Sequence, residues 1–124
     1  IKWKSKALKT GDYSFLIESC PELGFLVDTW FLDDMCIERK NSVSELAGNI
    51  ANATKDDERI FKEFNRMINI NKNYILIEND SIEDIFLENY RAKLNSTSFL
   101  RTLLTWQNRN NMHIYFLKKT FIFL

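Results

Sequence analysis

The sequence predicts an α/β domain, and three observations carry that expectation. The first 40 residues are dominated by period-two alternation and by aromatic and β-branched runs. From Ser42 onward the apolar spacing changes to the helical three-and-four period, interrupted by two further short apolar runs. Strands first and then helices alternating with strands give a central mixed sheet flanked by helices, about three layers deep. At 124 residues the chain suits one domain with a single core.

Residues 1–9 alternate Lys2, Lys4 and Lys6 with Trp3, Ser5 and Ala7, which predicts a strand with one solvated face. Thr10-Gly11-Asp12 is a turn, and Tyr13 to Ile17 a second strand. Pro21 and Gly24 punctuate a connection, after which strands are expected near 25–32 and 34–40. Ser42 with Glu45 three residues on forms a capping box for a helix carrying Val43, Leu46, Ala47 and Ile50. A second helix over 56–69 places Ile60, Phe61, Phe64, Met67 and Ile68 on one stripe, behind an acidic first turn, Asp56-Asp57-Glu58. Tyr74 to Ile77 is a buried strand. Ser81 caps a helix with Ile82, Ile85, Phe86 and Tyr90. Ser96 or Ser98 opens a helix with Phe99, Leu100, Leu103 and Leu104, a stripe for the core or a dimer face. His113 to Leu117 is the last strand.

Composition excludes several classes. Seventeen basic and seventeen acidic residues cancel, so a globally basic nucleic-acid glove is ruled out while a local basic patch is not. No apolar run reaches the roughly 18 residues of a membrane span. Cys20 and Cys36 make no disulfide framework and, with one histidine, no typical four-ligand zinc site. Reduced thiols in a cytoplasmic protein are expected. The chain opens inside a predicted strand without an initiator Met, so it reads as one domain over 1–124 that lacks its upstream first strand.

The run Ile37-Glu38-Arg39-Lys40 carries the chemistry. On a strand, Glu38 and Lys40 share a face, roughly 6.5 Å apart along the chain. A carboxylate there suits a hard divalent cation, and an ammonium suits an attacking water or a phosphate. By itself the triplet reads as an exposed ion pair, with both groups partly exposed. Asp12 follows a turn glycine and reaches Glu38 if its strand pairs with the one ending at Lys40; two carboxylates that close repel unless a cation lies between them. Asp34 reads as a solvated strand residue and His113 as a core or rim residue. Trp3 among Lys2, Lys4 and Lys6 suits a lysine-protected edge strand or a stacking path for single-stranded DNA.

Gly11-Asp12-Tyr13-Ser14, Cys36-Ile37-Glu38-Arg39-Lys40, Glu45-Leu46, Arg59 and Ile75-Leu76-Ile77-Glu78 follow one another as in the XPF-type (xeroderma pigmentosum group F) nuclease domains, which this sequence resembles over residues 8–78. The resemblance implies a restriction-nuclease-like fold and an Mg²⁺- or Mn²⁺-dependent endonuclease acting on branched DNA in repair or recombination. By the same resemblance Asp12 and Glu38 are metal ligands, joined by the peptide carbonyl of Arg39. Lys40 is the catalytic lysine, Arg39 a residue needed for cleavage, and Arg59 the helix arginine near the site. DNA contacts are expected from Lys2, Lys4, Lys6, Arg39 and Arg59, with Lys55 beside them.

Three departures stand out. The family's Asp four residues after the Lys is Ser44 here, and Glu45 follows one later, so its catalytic role competes with capping. The family's upstream acidic D-x-R-E segment and its helix-hairpin-helix domains are not in these residues. The resemblance is therefore to stand-alone phage or bacterial members, and a homodimer remains open. The competing reading is a nuclease fold that no longer cuts and only binds DNA or protein; retention of Asp12, Glu38 and Lys40 together argues against it.

Overall fold

A computed structural model describes residues 2–53 and 59–118. Its centre is a parallel sheet of Met35–Lys40 (β3), Lys72–Glu78 (β4) and Met112–Leu117 (β5), in that spatial order. Before them, Leu16–Ile17 (β1) and Thr29–Trp30 (β2) pair antiparallel in a separate two-stranded ribbon. Val43–Ala53 (α1) and Arg59–Ile68 (α2) connect β3 to β4; Ile82–Phe86 (α3) and Ser96–Arg109 (α4) connect β4 to β5. Parallel neighbours require such crossovers, and helices supply them. The expected α/β class, a sheet flanked by helices, is what the chain adopts.

The core explains which strand face carries chemistry. Cys36 on β3, Ile75 and Ile77 on β4 and Met112 on β5 pack with Val43, Leu46, Ala47 and Ile50 of α1, Met67 of α2, Ile85 of α3, and Phe99, Leu103 and Trp106 of α4. On β3 the strand period places Glu38 and Lys40 on the same side as Cys36, so they are buried with it. The alternative face carries Tyr74 stacked against His113 and Tyr115, with both partners exposed. His113 is thus a rim residue.

Several local expectations are corrected. Residues 2–8 form no strand. Alternation favours an extended chain, but a strand needs a ladder partner, and the free edge of β3 is taken by Tyr13, which bridges Ile37 antiparallel. The Ser14 hydroxyl extends that contact by donating to the Met35 carbonyl at 2.7 Å. The lysines find an aromatic ring instead: Nζ of Lys4 and Lys6 lie 5.4 and 4.0 Å from the Trp30 ring centre. Of the strand expected over 25–32, only Thr29–Trp30 is ladder-bonded, and Leu26 and Val27 are exposed. Asp34 is exposed and precedes β3. The helix after Ser81 stops at Phe86, before Tyr90, because Glu88 turns left-handed at φ 54°. On α2, Met67 is buried but Ile68 is 45% exposed. Lys55 and Asp56-Asp57-Glu58 lie outside the described residues, as do the side chains of Arg59, Ile60, Phe61 and Phe64.

Candidate active site

Gly11 brings Asp12 to β3. It adopts φ +75°, and a Cβ there would stand 3.0 Å from the Ile37 carbonyl oxygen and 3.1 Å from Cys36 Cβ, so only glycine permits the approach. The Asp12 and Tyr13 amides both donate to that same carbonyl, at 2.8 and 3.0 Å. The Asp12 side chain then turns toward the strand end, where Oδ2 accepts the Arg39 N–H at 2.7 Å. Asp12 is therefore fixed one residue from Glu38, as the sequence order led us to expect, and remains exposed.

Glu38 and Lys40 form an ion pair, Nζ to Oε1 3.2 Å. The expectation of partly exposed groups is corrected: the two residues are only 7% and 6% exposed, because their strand face is the one the helices cover. Glu38 Oε2 is buried and meets no amide, hydroxyl or ammonium donor; the neighbouring Glu63 carboxyl hydrogen-bonds Glu38 when one of the two acids holds a proton. A carboxylate oxygen buried without a donor is costly, and the cost appears in its titration. Burial, followed by the neighbouring Glu63 carboxylate and with a smaller push from Asp12, raises Glu38 to about 8 against the opposing pull of Lys40. The same burial, with the charges of Glu38 and Glu63, lifts the Cys36 thiol to about 11.

Arg39 points the other way along β3. Its Nε and Nη2 grip the two oxygens of Glu78 at 2.8 Å each, a bidentate pair across β3 and β4 that keeps the guanidinium firmly protonated. Its charge is thereby engaged within the protein. Glu45 is engaged as well: Oε2 accepts the Asn41 N–H at 2.6 Å, while its own N–H donates to Ser42 Oγ at 3.0 Å. This is the expected capping box with one change, since the Glu reaches the amide of Asn41 rather than that of Ser42. Asp80 completes the cap by accepting the Val43 N–H at 2.7 Å. Arg59 opens α2, and Lys2 is exposed ahead of Lys4 and Lys6.

The ERCC4 domain family model matches residues 1–120, the span that carries this geometry. The chain belongs to the ERCC4 domain family. An ERCC4 domain is a nuclease domain of restriction-nuclease-like fold, acting on DNA, and the XPF-type nuclease domain is this same module. No curated protein and no solved structure matches this ERCC4 chain. No helix among its described residues is long and apolar enough to cross a membrane.

Sequence reasoning missed Glu63 in this ERCC4 site, and it missed Glu78 and Asp80 as the partners of Arg39 and of α1. The signal for Glu63 was its spacing four residues before the buried Met67, which puts both on one side of α2. That α2 lies over Glu38 was a matter of packing.

The residues present suit a divalent cation. Among the described residues no three metal-ligating side chains form a ready cage. Mg²⁺, however, usually takes one or two carboxylates and keeps several waters. The buried Glu38 Oε2 and the exposed Asp12 carboxylate, bonded to the neighbouring Arg39 amide, are oxygens of the kind such an ion takes.

Proposed function

We propose that this ERCC4 domain is a metal-dependent endodeoxyribonuclease that hydrolyses phosphodiester bonds of branched or flapped DNA in repair or recombination. The observation that carries the reading is the buried Glu38–Lys40 pair with one carboxylate oxygen that meets no amide, hydroxyl or ammonium donor, beside an aspartate fixed to the same strand end.

Asp12 and Glu38 would hold Mg²⁺ or Mn²⁺, which supplies charge stabilisation at the phosphate and a more acidic water. Asp12 is oriented by the Arg39 amide, so its free oxygen faces outward without a search over rotamers. Lys40 holds its Nζ 3.2 Å from Glu38 Oε1, placed to orient the attacking water and to offset charge growing on the phosphate oxygens. In the hydrolysis a water oxygen bonds to phosphorus, the bond to the leaving oxygen breaks, and the water proton passes to solvent or to that oxygen. Arg39 locks the strand end through Glu78, and Glu45 holds the turn that follows. Lys2, Lys4, Lys6 and Arg59 would contact the DNA backbone.

The test is cleavage of a labelled fork or flap with Mg²⁺ or Mn²⁺, using Glu38→Gln as the inactive control. Cleavage that Glu38→Gln abolishes supports the proposal. Failure of the wild type to cut any branched substrate with either metal overturns it in favour of a non-cutting binding module.

A further inference from the structure

A cleft of about 800 Å³ opens between residues 6–10, the Leu32-Asp33 turn and the end of α2 with the residues just after it. Its size is that of a small-molecule site. Lys6, Lys9 and Arg66 line it against a single carboxylate, Asp33. None of these four is in an ion pair among the described residues, whose pairs are Arg39–Glu78 and Lys40–Glu38. In a chain of zero net charge, Lys9 and Arg66 against one carboxylate, with Lys6 at the rim over Trp30, select for an anion. The remaining wall mixes apolar side chains, Leu8, Leu32 and Ile70 among them, with the hydrogen-bonding groups of Thr10, Ser14 and Asn69. Thr10 also lines the cleft and lies two residues, at most about 7 Å of chain, from Asp12.

We propose that this cleft holds an unpaired stretch of the DNA strand next to the phosphate being cut, with Lys9 and Arg66 on its phosphates. The proposal rests on the nuclease reading for its ligand. A duplex turns its base faces inward and presents phosphates on a convex surface, so neither the apolar nor the hydrogen-bonding side chains inside a cavity of this size can reach its bases. A single strand offers sugar and base faces together with phosphates. Trp30, with Lys6 stacked over it, extends the path outward from the cleft.

The experiment measures binding of the intact chain to a dye-labelled oligo(dT) and to a duplex of equal length, in EDTA, across a salt series. It compares wild type with Lys9→Ala/Arg66→Ala and with Lys93→Ala, an exposed lysine outside the cleft. Lys9 and Arg66 are exposed, so the double variant should melt like the wild type. The expected result is a salt slope for oligo(dT) lower by about 0.7 for each cation removed, with duplex binding and the Lys93 variant unchanged. An unaltered oligo(dT) slope overturns the cleft assignment, and an equal loss on duplex overturns its single-strand character. Since binding is read without metal, a wild type that cuts no fork while showing the expected slopes overturns the nuclease reading and leaves the cleft standing.

Discussion

The Asp12 carboxylate accepts the backbone N–H of Arg39 at 2.7 Å, across 27 residues of sequence. This bond orients the exposed acid of the candidate site and ties the turn after the N-terminal segment to the end of β3. Asp12→Asn keeps an acceptor oxygen there and removes the charge; Asp12→Ala removes both. The Asn variant is expected to unfold within about 0.5 kcal/mol of wild type, and the Ala variant about 1 kcal/mol below it. Both should lose cleavage. Equal melting of all three proteins would show that the bond contributes nothing to the fold.

Burial of Glu38 and Lys40 predicts that single changes there cost stability as well as activity. Removing one partner of a buried pair costs about 3–5 kcal/mol. Above about pH 8, where Glu38 is ionised, Lys40→Ala should approach that range; below it Glu38 holds a proton and the loss should be smaller. Glu38→Gln/Lys40→Met should recover much of the loss and remain inactive. Denaturant unfolding with a cleavage assay checks both, and a Lys40→Ala protein as stable as wild type would mean that the pair is solvated.

The titration of Glu38 predicts a pH slope. Its ordinary value is 4.5, and the fold raises it to about 8. Between those values the folded state keeps a proton that the unfolded chain has released. The contribution is full below about 4.5 and is lost as pH rises through about 8. Wild-type stability relative to Glu38→Gln should therefore fall across that window. In Glu63→Gln a neighbour that raises Glu38 is gone but burial remains, so the fall should still begin near 4.5 and should end at lower pH than in the wild type. Unfolding midpoints measured from pH 5 to 9 decide this, and a flat difference would remove the burial argument.

Glu45 is engaged by the Asn41 amide, a bond that Gln preserves. Glu45→Gln is expected to leave both stability and the metal midpoint of cleavage unchanged. A midpoint raised tenfold, about 1.4 kcal/mol, would instead place Glu45 among the metal ligands.

The two thiols should differ in reactivity. Cys36 is fully buried and raised to about 11, whereas Cys20 is partly exposed. At pH 8 one thiol per folded chain should react with a disulfide reagent, and two after denaturation. Rapid reaction of both in the folded protein would show that β3 opens readily.

The parts of the site legible in the sequence are those set within a single element. The strand period alone puts Glu38 and Lys40 on one face, and Ser42 with Glu45 marks the start of α1, because side-chain direction repeats every two residues in a strand and every turn in a helix. The order of Asp12, Glu38 and Lys40 also carried the family, and the change from period-two to helical spacing carried the α/β class. What depended on which surfaces meet was not legible. The alternating lysines of residues 2–6 specify an extended chain, but whether it joins a sheet turns on the edge of β3, which Tyr13 occupies. The burial of Glu38 and Lys40, the approach of Glu63 and the grip of Arg39 on Glu78 each require two elements distant in sequence to pack in one register. A strand's own period states that one of its faces differs from the other; only the helices packed over β3 decide which face is buried, and so turn an ordinary Glu-x-Lys pair into a desolvated carboxylate and ammonium.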